Sequence, residues 1–218
     1  LSEVGMLPAK LMGFSPNKFR RLNDLIKNKS FTNCLISNVS NILELIKKKK
    51  FNSVILNYDN GATDFFYWYQ QLVAESLGKE NKGLLPIISK MPEDNHSLMQ
   101  LYLGGVKNNF YTLFFSREKN SRLILRNSLL KSHSYLKDKS LNDIAYSQFL
   151  ATTKVFNEKN IPYRNFIINY RDERILGELF TFFILETILL ARALKINPFD
   201  QPEVEAIKIK TKNILVNN

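Results

Sequence analysis

Hydrophobic positions along the chain recur at two periods, one near 3.6 residues and one near 2, and their alternation sketches the elements. Phe19, Leu22, Leu25 and Ile26 give residues 16–29 one apolar side, and Val39, Ile42, Leu43 and Ile46 do the same for 38–49, so both predict amphipathic helices. Residues 51–58 are short, rich in β-propensity and closed by Asp59-Asn60-Gly61, the signature of a strand. Further strands are predicted at 84–89, 109–115 and 163–170. Helices are predicted at 95–103 (stopped by Gly104-Gly105), at 141–160 and at 171–196. The run Asn197-Pro198-Phe199-Asp200-Gln201-Pro202 reads as a loop opening a last helix. Two stretches resist assignment. Residues 1–15 carry helix breakers at Gly5, Pro8 and Gly13, and 116–139 is polar without a clean period, with only Ile124-Leu125 suggesting a short strand. Strands alternating with helices imply an α/β protein with a parallel sheet covered on both faces. No internal repeat, low-complexity tract or linker divides it.

The stretch between the first two strands organises the rest. Phe65, Phe66, Trp68, Tyr69, Leu72 and Val73 form an apolar stripe at helical spacing, with Asp64 as expected N-cap and Gly78 as expected left-handed stop. Gln71 and Glu75 are four apart and share one face. A carboxylate in the last turn meets the negative end of the helix dipole, a poor place for charge and a useful one for a proton acceptor. On this chemistry alone Glu75 reads either as a general base or as a solvated surface carboxylate.

Composition narrows the possibilities. A chain of 218 residues with 44% hydrophobic residues can bury a full core. Cys34 is the only cysteine, which rules out an internal disulfide framework and fits a reducing, cytoplasmic setting. The most apolar segment, 179–190, contains Glu186 and is too short to cross a bilayer, so no membrane partner is expected. The net charge of +11 invites a nucleic-acid reading, but the positives are scattered. The one run, Lys47 to Lys50, closes a predicted helix, where cations suit the dipole. No nucleic-acid partner is expected. Ligands of such sheets sit beyond the carboxyl ends of the strands, and both Glu75 and His96 follow strands, which puts both at candidate positions. His96 opens a predicted helix and reads equally as a capping or surface residue. Histidines and cysteines do not pair at metal-ligand spacing, and neither a nucleophile elbow, a Walker A loop nor a dinucleotide fingerprint occurs. No metal or organic cofactor is expected.

Three blocks, in order, carry a more specific signal: Gln71-x-x-x-Glu75-Ser76-x-Gly78-Lys79; His96-Ser97, twenty-one residues after the glutamate; and Phe199-Asp200-Gln201-x-x-Val204-Glu205-x-x-Lys208. Together they resemble glucose-6-phosphate isomerase over nearly the whole chain. One departure is Glu203, where the family pattern usually has Gly or Ala, which bears on the local backbone.

The resemblance implies a fold and a set of roles. Family members comprise two sugar-isomerase domains, each a three-layer α/β sandwich around a mainly parallel five-stranded sheet, and residues 1–218 resemble the second, with its carboxy-terminal helices packed on the sheet. By the match, Glu75 is the base that carries a proton between C1 and C2 through a cis-enediol. His96, supplied by the neighbouring subunit of a homodimer, and Lys208 assist ring opening, while Gln71 and Gln201 contact the sugar phosphate. The family's Ser/Thr phosphate loop has no equivalent here, and its Gly-Gly-Arg motif would fall just before Leu1, so the chain is expected to be cut after that arginine and to be inactive alone. The alternative from another class is a non-catalytic sugar-phosphate-binding module, which needs the phosphate loop but not the Glu-His-Lys set.

Overall fold

A computed structural model describes residues 2–117 and 131–217. Four parallel strands form its sheet: β1 (Asn52–Asn57), β2 (Leu85–Lys90), β3 (Asn109–Ser116) and β4 (Tyr163–Ile168), in the order β2-β1-β3-β4. The five strands expected become four among the described residues, and the strand expected at 124–125 lies outside them.

Residue alternation along the strands divides the core into two layers. Ile55, Phe110 and Phe114 face one side and pack with Phe66, Tyr69, Val73, Phe182 and Phe183. These come from α5 (Thr63–Leu77) and α8 (Glu173–Leu194), joined by Val39 and Ile42 of α4 (Lys29–Lys47). Val54, Leu56, Tyr111, Leu113 and Phe115 face the other side and pack with Phe149 and Phe156 of α7 (Leu141–Glu158) and Tyr102 of α6 (Met99–Gly104). Every residue of β3 is buried, as a central strand covered on both faces requires.

Several helix ends differ from expectation. Helix α4 starts nine residues early because the Asn28 side chain accepts from the amides of Ser30 and Phe31. The helix expected at 16–29 is two short ones, α2 (Pro16–Phe19) and α3 (Leu22–Leu25), broken at Arg20 and Arg21. Residues expected to be irregular form α1 (Glu3–Leu11), with Pro8 inside a mostly exposed helix where water can satisfy the carbonyl it leaves. This amino-terminal segment docks closely on α8: a Cβ at Gly177 would lie 2.2 Å from the Phe19 carbonyl oxygen, so only glycine allows that approach.

Glu186 interrupts the apolar run of α8 yet is 1% exposed. Both of its oxygens accept from the Arg164 guanidinium, and Oε2 also accepts from the Asn38 amide. Arg164 Nε donates to Thr112 Oγ1 at 2.8 Å. The charge pair is therefore hydrogen-bonded on both partners, the condition under which burial of ions is tolerated. Burial beside it, with Glu186 adding to the effect, pushes the Tyr69 hydroxyl up to about 12. None of the described helices is long and apolar enough to cross a membrane.

Candidate active site

The α5 helix begins at the carboxyl end of β1 and runs back along the sheet. Its start is set by Asp59, whose Oδ1 accepts from the Gly61 amide, and Ala62 rather than Asp64 occupies the N-cap; Asp64 lies in the first turn, where a carboxylate suits the dipole. Phe65, Phe66, Tyr69, Val73 and Leu77 turn inward, and Gln71 is exposed with Glu75 partly so. The helix ends at Gly78, whose φ of −76° is not left-handed, contrary to expectation. Glycine is still favoured there, because a Cβ would sit 2.7 Å from the Ala74 carbonyl oxygen.

The second part of the site comes from the other end of the chain. After α8, the loop 197–201 returns to the end of α5 and opens α9 (Pro202–Asn217). Asn197 Oδ1 accepts from the Phe199 amide and tightens the turn. The Lys79 ammonium donates to the Asn197 carbonyl at 2.6 Å and to Asp200 Oδ1 at 2.8 Å. Lys79 holds the Asp200 carboxyl below the usual carboxylate range. The loop so fastened delivers Gln201, whose Nε2 donates to Glu75 Oε2 at 2.9 Å. Gln71 Nε2 donates to Glu75 Oε1 at 2.8 Å. Each oxygen of Glu75 is thus held by a neutral amide, and the carboxylate lines a small cleft with Gly78, Lys79, Gln201 and Glu203. A carboxylate fixed by donors at both oxygens, yet open to a cleft, can exchange a proton with a bound molecule.

The structure therefore brings Gln71, Glu75 and Gln201 together across 126 residues of sequence. It does not bring the other two sequence-predicted residues to them. Lys208 lies on α9, where its ammonium donates to Glu205 Oε1 at 2.7 Å, and residues 201–216 are all exposed. Of the two carboxy-terminal helices, α8 packs on the sheet and α9 projects from it. Glu203 is exposed in the first turn of α9, where helix backbone needs no glycine and a carboxylate suits the dipole.

His96 is exposed in a turn between a short 3₁₀ segment at Glu93–Asn95 and α6, rather than opening an α-helix. Asp94 holds this turn by accepting from the Lys90 amide and Ser97 hydroxyl. The turn follows the carboxyl end of β2. Glu75 lies toward the opposite end, since the Gln70 side chain, one turn earlier, already donates to the carbonyl of Pro86 near the start of β2. Six strand residues at about 3.3 Å each separate the two levels, roughly 20 Å. The expectation that both sit beyond the carboxyl ends is corrected for Glu75, because a helix following a strand runs back toward the strand's beginning. Among the described residues, His, Cys, Asp and Glu side chains do not converge in threes as a metal ion would need.

Lys79 and Asp200 stand within the motifs, yet sequence reasoning assigns them no role. Their signal is the Gly-Lys pair ending α5 and the Asp preceding Gln201.

No family model matches the chain. It is 31% identical to a glucose-6-phosphate isomerase of Mycoplasmopsis pulmonis over 99% of this chain and 52% of that protein. Among solved structures, a hypothetical protein from Thermus thermophilus superposes with a TM-score of 0.87 at 23% identity, covering 98% of this chain and 54% of its own. A glucose-6-phosphate isomerase from Chlamydia trachomatis superposes with a TM-score of 0.62 at 18% identity, covering 76% and 34%; both structures bear on the fold alone. The chain spans about half the length of the curated relatives it matches. By sequence it is similar to about half the length of proteins named glucose-6-phosphate isomerase.

Proposed function

We propose that the protein is a glucose-6-phosphate isomerase, interconverting glucose 6-phosphate and fructose 6-phosphate in cytoplasmic glycolysis and gluconeogenesis, and that residues 1–218 supply its carboxy-terminal sugar-isomerase domain. The observation that carries this reading is Glu75 gripped at both oxygens by Gln71 and Gln201, which belong to two separate family motifs. In the reaction Glu75 removes the C2 proton of the open-chain aldose and returns it to C1, through a cis-enediol. The two amides aim the carboxylate at both carbons, and as amides they can also meet sugar hydroxyls. His96 and Lys208 assist opening of the ring, and no cofactor takes part.

The separation of Glu75 from His96 supports a homodimer in which one subunit's His96 completes the other's site. A group roughly 20 Å away along the sheet serves the base only from a second copy. A phosphate anchor and the arginine that meets the enediolate's charge come from the amino-terminal domain of the whole protein. In the whole protein a single such oxyanion donor is worth about 10²–10³ in rate.

Glu75→Gln in the whole protein tests the reading. The amide keeps the shape and loses the basicity, so isomerisation and solvent hydrogen exchange at C2 should both fall by about 10²–10⁴ while substrate still binds. Undiminished C2 exchange would remove Glu75 from the role.

A further inference from the structure

Lys79 follows the Gly78 cap of α5, four residues after Glu75, and the two side chains line one cleft. They do not pair here. The Lys79 ammonium is taken by Asp200 Oδ1 at 2.8 Å and the Asn197 carbonyl at 2.6 Å, and its side chain is only 9% exposed. Glu75 instead accepts from two neutral amides, one of them on the residue next to Asp200. Two consequences follow from the same pair. The loop is fastened one residue before Gln201, so the amide that meets Glu75 Oε2 is presented from an anchored backbone. The ammonium that lines the same cleft is also taken up by another carboxylate.

We propose that the Lys79–Asp200 ion pair is a positioning device for the candidate base: it fastens Gln201 onto Glu75 and withholds the Lys79 ammonium from that carboxylate. This rests on the isomerase reading for its meaning in catalysis, but the geometry it describes is independent of it. The withholding matters because an ammonium against a carboxylate stabilises its charged form and weakens it as a base. The charged side chains that line the cleft with Glu75 are Lys79, beyond the end of α5, and Glu203 on α9, and Asp200 holds Lys79 from the loop. On its buried side α5 meets α8 through the aromatic contacts of Phe65 with Phe180 and of Tyr69 with Phe183.

The test uses the whole protein with Asp200→Asn and Lys79→Met, read by two measurements that need no turnover. Amide hydrogen exchange at Phe199 and Gln201 should accelerate roughly threefold or more in both variants, as expected for losing a partly exposed ion pair. The Glu75 carboxyl carbon, identified by its disappearance in Glu75→Gln, should titrate at lower pH in Asp200→Asn, where the freed ammonium turns to it. The double variant, which has no ammonium, should bring that titration back toward the parent's. Unchanged exchange in both single variants overturns the fastening. A Glu75 titration that stays put in Asp200→Asn, or is not restored in the double variant, overturns the withholding. A parent protein that does not isomerise removes the isomerase reading and leaves both measurements to decide the clamp.

Discussion

Two glutamates on adjoining helices of one layer are held in opposite ways. Glu186 on α8 is buried and answered by a guanidinium, an asparagine amide and, through Arg164, a threonine hydroxyl. Glu75 on α5 is partly exposed, beside a cleft, and answered only by glutamine amides. A buried carboxylate that faces a fixed guanidinium holds the fold together and has no open side on which to meet another molecule. A carboxylate held by neutral donors beside a cleft keeps its direction and leaves a side open to a bound molecule. Glu186 accepts three hydrogen bonds and Glu75 two, but that count does not set them apart. The charge of the partners and access to a cleft do.

The largest effects should come from crossing these two sites. Glu186→Gln leaves Arg164 buried without a counter-charge and should destabilise the protein by about 3–5 kcal/mol, read from denaturant unfolding. Glu75→Gln should change the same unfolding free energy by less than about 1 kcal/mol, as surface changes do. Replacing the pair together, Arg164→Met with Glu186→Leu, should recover most of the loss. If Glu75→Gln proved the more destabilising of the two, the distinction between an anchoring and a working glutamate would collapse.

A mid-sized effect sharpens the working side. Mixing a Glu75→Gln protein with a His96→Ala protein should restore about a quarter of native activity once protomers exchange at random, because one site in each heterodimer then has both groups. Absence of recovery after confirmed exchange would put both residues in one protomer's site, against the distance between them along the sheet.

Period and turn chemistry made β1, β2, β3, β4, α5, α7 and α8 legible, because each is a buried element whose apolar spacing is dictated by the sheet. Elements whose ends depend on single side chains were less so: the start of α4 hangs on Asn28, and the break between α2 and α3 leaves no apolar signal. The level of Glu75 was misjudged by treating α5 as a point following β1 rather than a helix about 22 Å long running backward. Glu186 stood out in its apolar run, but its partners Asn38 and Arg164 come from α4 and β4, which no local pattern links. The three residues meeting at Glu75 were legible only through motifs, since Gln71 and Gln201 are ordinary exposed glutamines by pattern. The role of Lys79 has no local signal, because its partners Asn197 and Asp200 come from the returning loop.

The smallest effect concerns how firmly that loop is tied as pH falls. Lys79 lowers the Asp200 carboxyl from its ordinary 3.8, so the folded group holds its charge further into acid than the unfolded one. A lowered carboxylate stabilises the folded form fully above the ordinary value, and that contribution is lost as pH falls through the lowered value. The tie should therefore be intact from neutrality to about pH 5 and slacken only below 3.8. Asp200 is 54% exposed, so salt should weaken the effect, unlike that of the buried Arg164–Glu186 pair. Following the Asp200 carboxyl carbon through an acid titration measures this directly. Its midpoint should lie below 3.8 in the parent, rise in Lys79→Met and approach 3.8 at high salt. A parent midpoint at or above 3.8 would mean that Lys79 is not held on Asp200 in solution, and the ammonium would then be free to find Glu75.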